Sequence, residues 1–221
     1  TIPYYLPDHN SRFIGQLWKD HVHEGYPANN PAQLAIRVSW QEAMDFCKKL
    51  SEKTGLNVTL PTEVQWEWAC RAGSADDFWY GSLNADFAKF ENLADAQLNK
   101  AAVRGVNPQP MSPKDGWYKY YTYQPKENGV DDGNMLMVKG GSYQANPWGL
   151  YDMQGNVAEW TRSDYMPYPY NEKTQDGTGT EKVARGGSWT EHPKTCTSYY
   201  RKAYLPWQKV YNVGFRVIIE D

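Results

Sequence analysis

Glycine and proline interrupt this chain so often that few stretches are long enough to form a helix. Its 221 residues carry 18 Gly and 14 Pro. Each either frees the backbone for a turn or fixes φ and removes an amide donor. A coiled coil, which needs an unbroken heptad pattern, is excluded. No apolar run approaches the ~20 residues of a membrane helix, in keeping with a mean hydropathy of −0.79. Charge is close to balanced, 23 Lys and Arg against 26 Asp and Glu, with no basic footprint for a phosphate backbone. The length suits a single domain, and no internal repeat or low-complexity linker divides it.

Two segments escape the punctuation. Ser39 and Glu42 form a capping box ahead of an apolar stripe, Ala43, Met44, Cys47 and Leu50, and Gly55 is the stop. A short strand over 57–60 leads to Pro61 and a second helix. Thr62 and Gln65 cap it, Val64, Trp68 and Ala69 form its expected inner face, and Gly73 ends it. Short strands are expected over 183–185 and 214–219, with a short helix over 195–204 between them. Residues 1–36 read as an extended arm of the same domain, and 37–221 as its body. The start, Thr-Ile-Pro-Tyr-Tyr, has no basic or apolar leader, so either a targeting segment has been removed or the chain is part of something longer.

Cys47, Cys70 and Cys196 are odd in number, which leaves at least one unpaired within the chain. They form no zinc pattern with His9, His21, His23 and His192. Cys47 lies on the helical stripe and reads as a buried small hydrophobe. The tract over 74–145 has no long period, and loops of that length belong to bound ions or functional surfaces. Hard cations take roughly six to eight oxygens from loops. Asp152-Met153-Gln154-Gly155-Asn156-Val157-Ala158-Glu159 offers two acids around a glycine. The spacing alone also allows a plainer reading, in which Asp152 caps a turn and Glu159 is a solvated acid. Asn92 and Asp132 form a second pair, forty residues apart.

Five motifs then occur in order: Arg37-Val38-Ser39-Trp40-Gln41-Glu42-Ala43; Leu60-Pro61-Thr62-Glu63-Val64-Gln65-Trp66-Glu67-Trp68-Ala69; the run Gly149 to Trp160; Arg185-Gly186-Gly187-Ser188-Trp189; and Gly214-Phe215-Arg216-Val217. Together they resemble the sulfatase-modifying-factor family, of the formylglycine-generating type, over about residues 36–219. The resemblance implies an α+β, C-type-lectin-like fold, rich in loops, with short strands and two main helices. It also implies two calcium ions. One would be held by Asp152, Glu159 and the carbonyls of Gly155 and Val157. The other would be held by Asn92, Asp132 and the carbonyls of Leu93 and Asn134.

The family's enzymes oxidise a substrate cysteine to formylglycine with copper(I) and oxygen, using two cysteines after Arg-Gly-Gly-Ser. Those positions are Glu191 and Cys196 here, so one soft thiolate ligand is replaced by a carboxylate and copper is not expected. The family's N-terminal strands are also not evident.

The first expectation is therefore a non-catalytic, calcium-stabilised binding module for a protein or carbohydrate, acting as an accessory subunit of a larger complex outside the cytoplasm. The alternative is a formylglycine-generating oxidase or divergent nonheme-metal relative, with Ser188, Glu191, His192 and Cys196 as its site. Ten Trp and seventeen Tyr against six Phe supply amphipathic aromatic surface. Trp40, Trp66, Trp68, Trp160 and Trp189 fall in motifs and read as fold-specifying. Trp79, Trp148, Tyr199, Tyr200, Trp207 and Tyr211, with Trp189 of the motifs and with Tyr165, Tyr168 and Tyr170, read as loop surface.

Overall fold

The computed structural model describes residues 34–97, 129–134, 137–166 and 181–221. Helix α1 (Trp40–Thr54) starts at its capping box: Ser39 Oγ accepts the Glu42 amide at 3.2 Å and Glu42 Oε2 accepts the Ser39 amide at 2.9 Å. Two amides that the helix cannot satisfy internally are thereby paired. Gly55, at φ +74°, closes the helix with a 2.8 Å bond to the Ser51 carbonyl. The expected stripe faces inward, Ala43 and Cys47 buried with Met44 and Leu50 packed beside them. They join Val58, Leu60, Ala158, Trp160, Ala184 and Val213 in the main core.

Strand β1 (Asn57–Thr59) follows, then helix α2 (Glu63–Arg71). Thr62 and Gln65 form the second capping box, with bonds of 3.1 and 2.8 Å. Ala72 takes the left-handed conformation at its end, one residue before the expected stop. The facing of α2 differs from the sequence reading. Glu63, Trp66 and Cys70 point inward, while Val64 and Trp68 are 72% and 68% exposed. Specific partners decide this. Glu63 clasps Arg201 through bonds of 2.7 and 2.9 Å, and the Trp66 indole N–H donates to Glu159 at 2.7 Å.

Strands β2 (Ala158–Asp164), β3 (Lys182–Arg185), β4 (Arg201–Tyr204) and β5 (Val213–Phe215) form a mixed sheet in the order β4-β3-β2-β5. The β2–β3 and β3–β4 pairs are antiparallel, and β2–β5 is parallel. Strand β6 (Ile218–Glu220) pairs antiparallel with β1. Two expected elements are therefore redrawn. The segment over 195–204 is a single 3-10 turn, Pro193–Thr195, followed by β4. Arg185 takes the carbonyls of Ser198 and Tyr199 at 2.7 and 3.1 Å, acceptors that a helix would have used internally. The closing strand breaks at Arg216 and Val217, because Arg216 turns back to Glu159 and to the carbonyls of Tyr151 and Asp152.

Of the arm, only residues 34–36 lie among those described. Ile36 is buried, and Ala35 packs so closely that a Cβ on Gly214 would fall 2.3 Å from its carbonyl oxygen. His9, His21, His23, Tyr168 and Tyr170 lie outside the described residues. Within them, no helix is long and apolar enough to cross a membrane.

Chemical denaturation separates the contributions of cap and ion pair. Thr62→Ala should cost about 1 kcal/mol. Glu63→Ala, which leaves the buried Arg201 without its carboxylate, should cost about 3–5 kcal/mol. Equal losses would contradict this assignment.

Candidate functional site

The two acid-bearing segments meet on one side of the fold. The 152–157 loop is tight, with φ of +52° at Asp152, +77° at Gly155 and +56° at Asn156. It packs on the Asn92 segment: the Asn156 amide donates to the Asn92 carbonyl at 2.8 Å, and a Cβ on Gly155 would stand 2.6 Å from that same oxygen. Only glycine fits there. Asp152 Oδ2 accepts the Gly141 amide at 2.6 Å. Glu159 is bound by Arg216 at 2.6 and 2.7 Å as well as by Trp66.

The Asp132 segment is tied to the stretch just after Asn92, through a residue outside the predicted set. Asp95 Oδ2 accepts the Asp132 amide at 2.6 Å, and the Ala96 amide reaches the Val130 carbonyl at 3.0 Å. Asp132 in turn accepts Tyr143 Oη at 2.6 Å and the Asn134 amide at 2.7 Å. Asp95 stands three residues after Asn92, and that closeness was the available signal.

Charge is incompletely balanced at both places. Burial pushes Asp132 up to about 7, against the pull of its Tyr143 and Asn134 hydrogen bonds. Burial also raises Asp95 and Asp152, and holds Glu91 well above the usual carboxylate range. Glu91, Asp152 and Glu159 are all buried, and Arg216 is a cation that acts on all three. Oxygen donors with surplus negative charge match what a hard divalent cation requires. Among the described residues, no three or more His, Cys, Asp and Glu side chains converge to hold a metal. The sets expected from the resemblance hold fewer than three acidic side chains each, Asp152 with Glu159 and Asp132 alone, and complete them with backbone carbonyls and the Asn92 amide.

The segment after Arg185-Gly186-Gly187-Ser188 has a different character. Glu191 Oε1 is paired with the Lys202 ammonium and accepts Asn212 Nδ2 at 3.0 Å. Asn212 Nδ2 also donates to Ser188 Oγ at 2.7 Å, and Ser188 continues through Thr190 to Tyr211 at 3.1 and 3.2 Å. Cys196 is 0% exposed, packed with Phe78, Phe87 and Leu93. A Cβ on Gly187, at φ +72°, would fall 2.2 Å from its sulfur, so this turn demands glycine. Burial, and after it the Glu191 carboxylate, raise the Cys196 thiol well above its ordinary value. His192 caps the 3-10 turn, accepting the Lys194 amide at 3.2 Å.

Residues 9–221 match the sulfatase-modifying factor enzyme 1-like domain. The chain belongs to this family. It is 28% identical over 194 residues to the formylglycine-generating enzyme of Streptomyces coelicolor, covering 84% of this chain and 52% of that one. It is likewise 28% identical over 158 residues to the inactive C-alpha-formylglycine-generating enzyme 2 of Bos taurus, covering 71% and 38%. The chain thus spans about half the length, or less, of these relatives. The structure of PvdO from Pseudomonas aeruginosa superposes with a TM-score of 0.62 at 24% identity, covering 88% of this chain and 66% of that one. This last likeness concerns the fold.

The family's copper chemistry does not fit these residues. A carboxylate engaged by lysine stands at one ligand position, and a buried protonated thiol at the other. Copper(I) selects thiolates, and a ligating thiol must first lose its proton. The aromatic surface is also redistributed. Trp189 is buried and Trp79 is half-buried, its indole bound to Glu91 at 3.0 Å. Trp148, Tyr199, Tyr200 and Trp207 are exposed as expected. Trp68 joins them, set edge-on to Trp148 at 4.2 Å.

Cys47, Cys70 and Cys196 are all free and buried. With an aromatic disulfide reagent, none should react in the native protein, and all should react in denaturant. Rapid native labelling of Cys196 would contradict the inert-thiol assignment.

Proposed function

We propose that this protein is a non-catalytic, calcium-stabilised module of the formylglycine-generating type that binds a protein or carbohydrate partner outside the cytoplasm, as an accessory subunit of a larger assembly. One observation carries the reading: Glu191 is spent on Lys202, beside a thiol that burial keeps protonated. A relative named as inactive in this family gives the reading a precedent. The exposed Trp68–Trp148 pair and Trp207 are the surfaces on which a partner would dock, since large exposed aromatics mark interaction sites. Asp152, Glu159 and the carbonyls of Gly155 and Val157 would hold one calcium. Asn92, Asp132 and the carbonyls of Leu93 and Asn134 would hold the other. Each ion would neutralise acid that the fold has buried.

The second reading, a formylglycine-generating oxidase, is favoured by the enzyme relatives and by the retained Ser188 and Cys196. Incubation with copper(I), oxygen and a cysteine-containing sulfatase peptide separates the two. The peptide mass should stay unchanged. Aldehyde formation that is lost in Cys196→Ala would establish the oxidase instead.

Calcium has its own test. An ion at 100 times its Kd stabilises the folded state by about 2.7 kcal/mol per site. Excess chelator should therefore lower Tm, and restored calcium should raise it. A Tm indifferent to chelation would overturn both sites.

A further inference from the structure

We propose that Glu191 and Lys202 form a fixed ion pair that takes over the position where the family's enzymes hold copper, and that the two residues exclude the metal jointly. The proposal rests on the non-catalytic reading and extends it to Lys202, a residue in none of the family motifs.

Strand geometry aims the lysine. Successive side chains on a strand point to opposite faces. Arg201 on β4 faces α2, where Glu63 holds it, so Lys202 faces the other way, toward the turn over 188–191. Tyr204 lies on the same face and feels the Glu191 carboxylate. The side chains of Lys202 and Glu191 are only 20% and 14% exposed. At that burial, a carboxylate and an ammonium each need the other, and removing one strands a charge.

The surrounding bonds hold the pair in one arrangement. Asn212 bridges Glu191 Oε1 to Ser188 Oγ, and Ser188 continues through Thr190 to Tyr211. The motif serine is thus linked to the carboxylate through the Asn212 side chain.

Besides the burial of Cys196, copper(I) at this place meets two further obstacles. One soft ligand is missing, because Glu191 supplies oxygen. A cation is already present, because the Lys202 ammonium sits against that oxygen and repels a second positive charge. Replacing Glu191 by cysteine removes the first obstacle and leaves the second. It also leaves the ammonium without its counter-ion.

Four proteins test this: wild type, Glu191→Cys, Lys202→Met and the double variant. Each is titrated against a chromophoric copper(I) chelator, with folding followed by circular dichroism. The wild type and both single variants should withdraw no copper. The double variant should withdraw one equivalent and show an ultraviolet thiolate–copper band. Copper uptake by Glu191→Cys equal to that of the double would overturn the role of Lys202. A folded double variant without copper would overturn the joint exclusion while leaving the non-catalytic reading intact. One equivalent bound by the wild type, and lost in Cys196→Ala, would overturn both. A metal-free cycle covers variants that fold poorly: Glu191→Gln and Lys202→Met should each lower Tm, and their combination should lower it by less than the sum. Additive losses would overturn the ion pair.

Discussion

The carboxylate of Glu159, buried on β2, accepts hydrogen bonds from two distant parts of the chain. Trp66 donates from α2, and Arg216 donates twice from the link between β5 and β6. Arg216 then reaches the carbonyls of Tyr151 and Asp152. Helix, sheet switch and acidic loop therefore share one anion. A buried carboxylate is tolerated only when paired and hydrogen-bonded, so these three elements are positioned together.

The same arrangement recurs along α2. Glu67 meets Arg185, and Glu63 meets Arg201, which places a row of carboxylate–guanidinium pairs between the helix and the sheet. Arg185 also takes the Ser198 and Tyr199 carbonyls and so shapes the approach to β4. A helix whose inner face is chosen by ion pairs is free to carry apolar residues outward. Val64 and Trp68 do so, and Trp68 rests against Trp148 because Asn146 fastens that loop to the end of α2 through the carbonyls of Ala69 and Cys70.

The candidate site was legible in proportion to how local its geometry is. The 152–157 loop announces itself through Asp152, Gly155 and Asn156, whose backbone conformations close a tight turn within six residues. The exchange of cysteine for Glu191 was visible once the glycine pair and Ser188 set the count. Asp95 and Lys202 were not visible, because each acts across the fold on a residue that no short motif contains. The burial of Cys196 comes from Gly187 and the Phe78, Phe87 and Leu93 cluster, in a segment where the expected helix over 195–204 does not form.

What the sequence determined by itself is the set of features closed by neighbours. These are the two capping boxes, the stop at Gly55 and the inward stripe of α1. Their hydrogen bonds and contacts span a few residues, so residue type and spacing suffice. The facing of α2, the break between β5 and β6, the strand over 201–204 and the pairing of Glu191 with Lys202 were decided by tertiary structure. Glu63 and Arg201 are 138 residues apart, and Glu159 and Arg216 are 57 apart. Which buried charge meets which is a property of the assembled sheet, since each pairing is favourable only after the backbone has brought its partner within reach and removed the water between them.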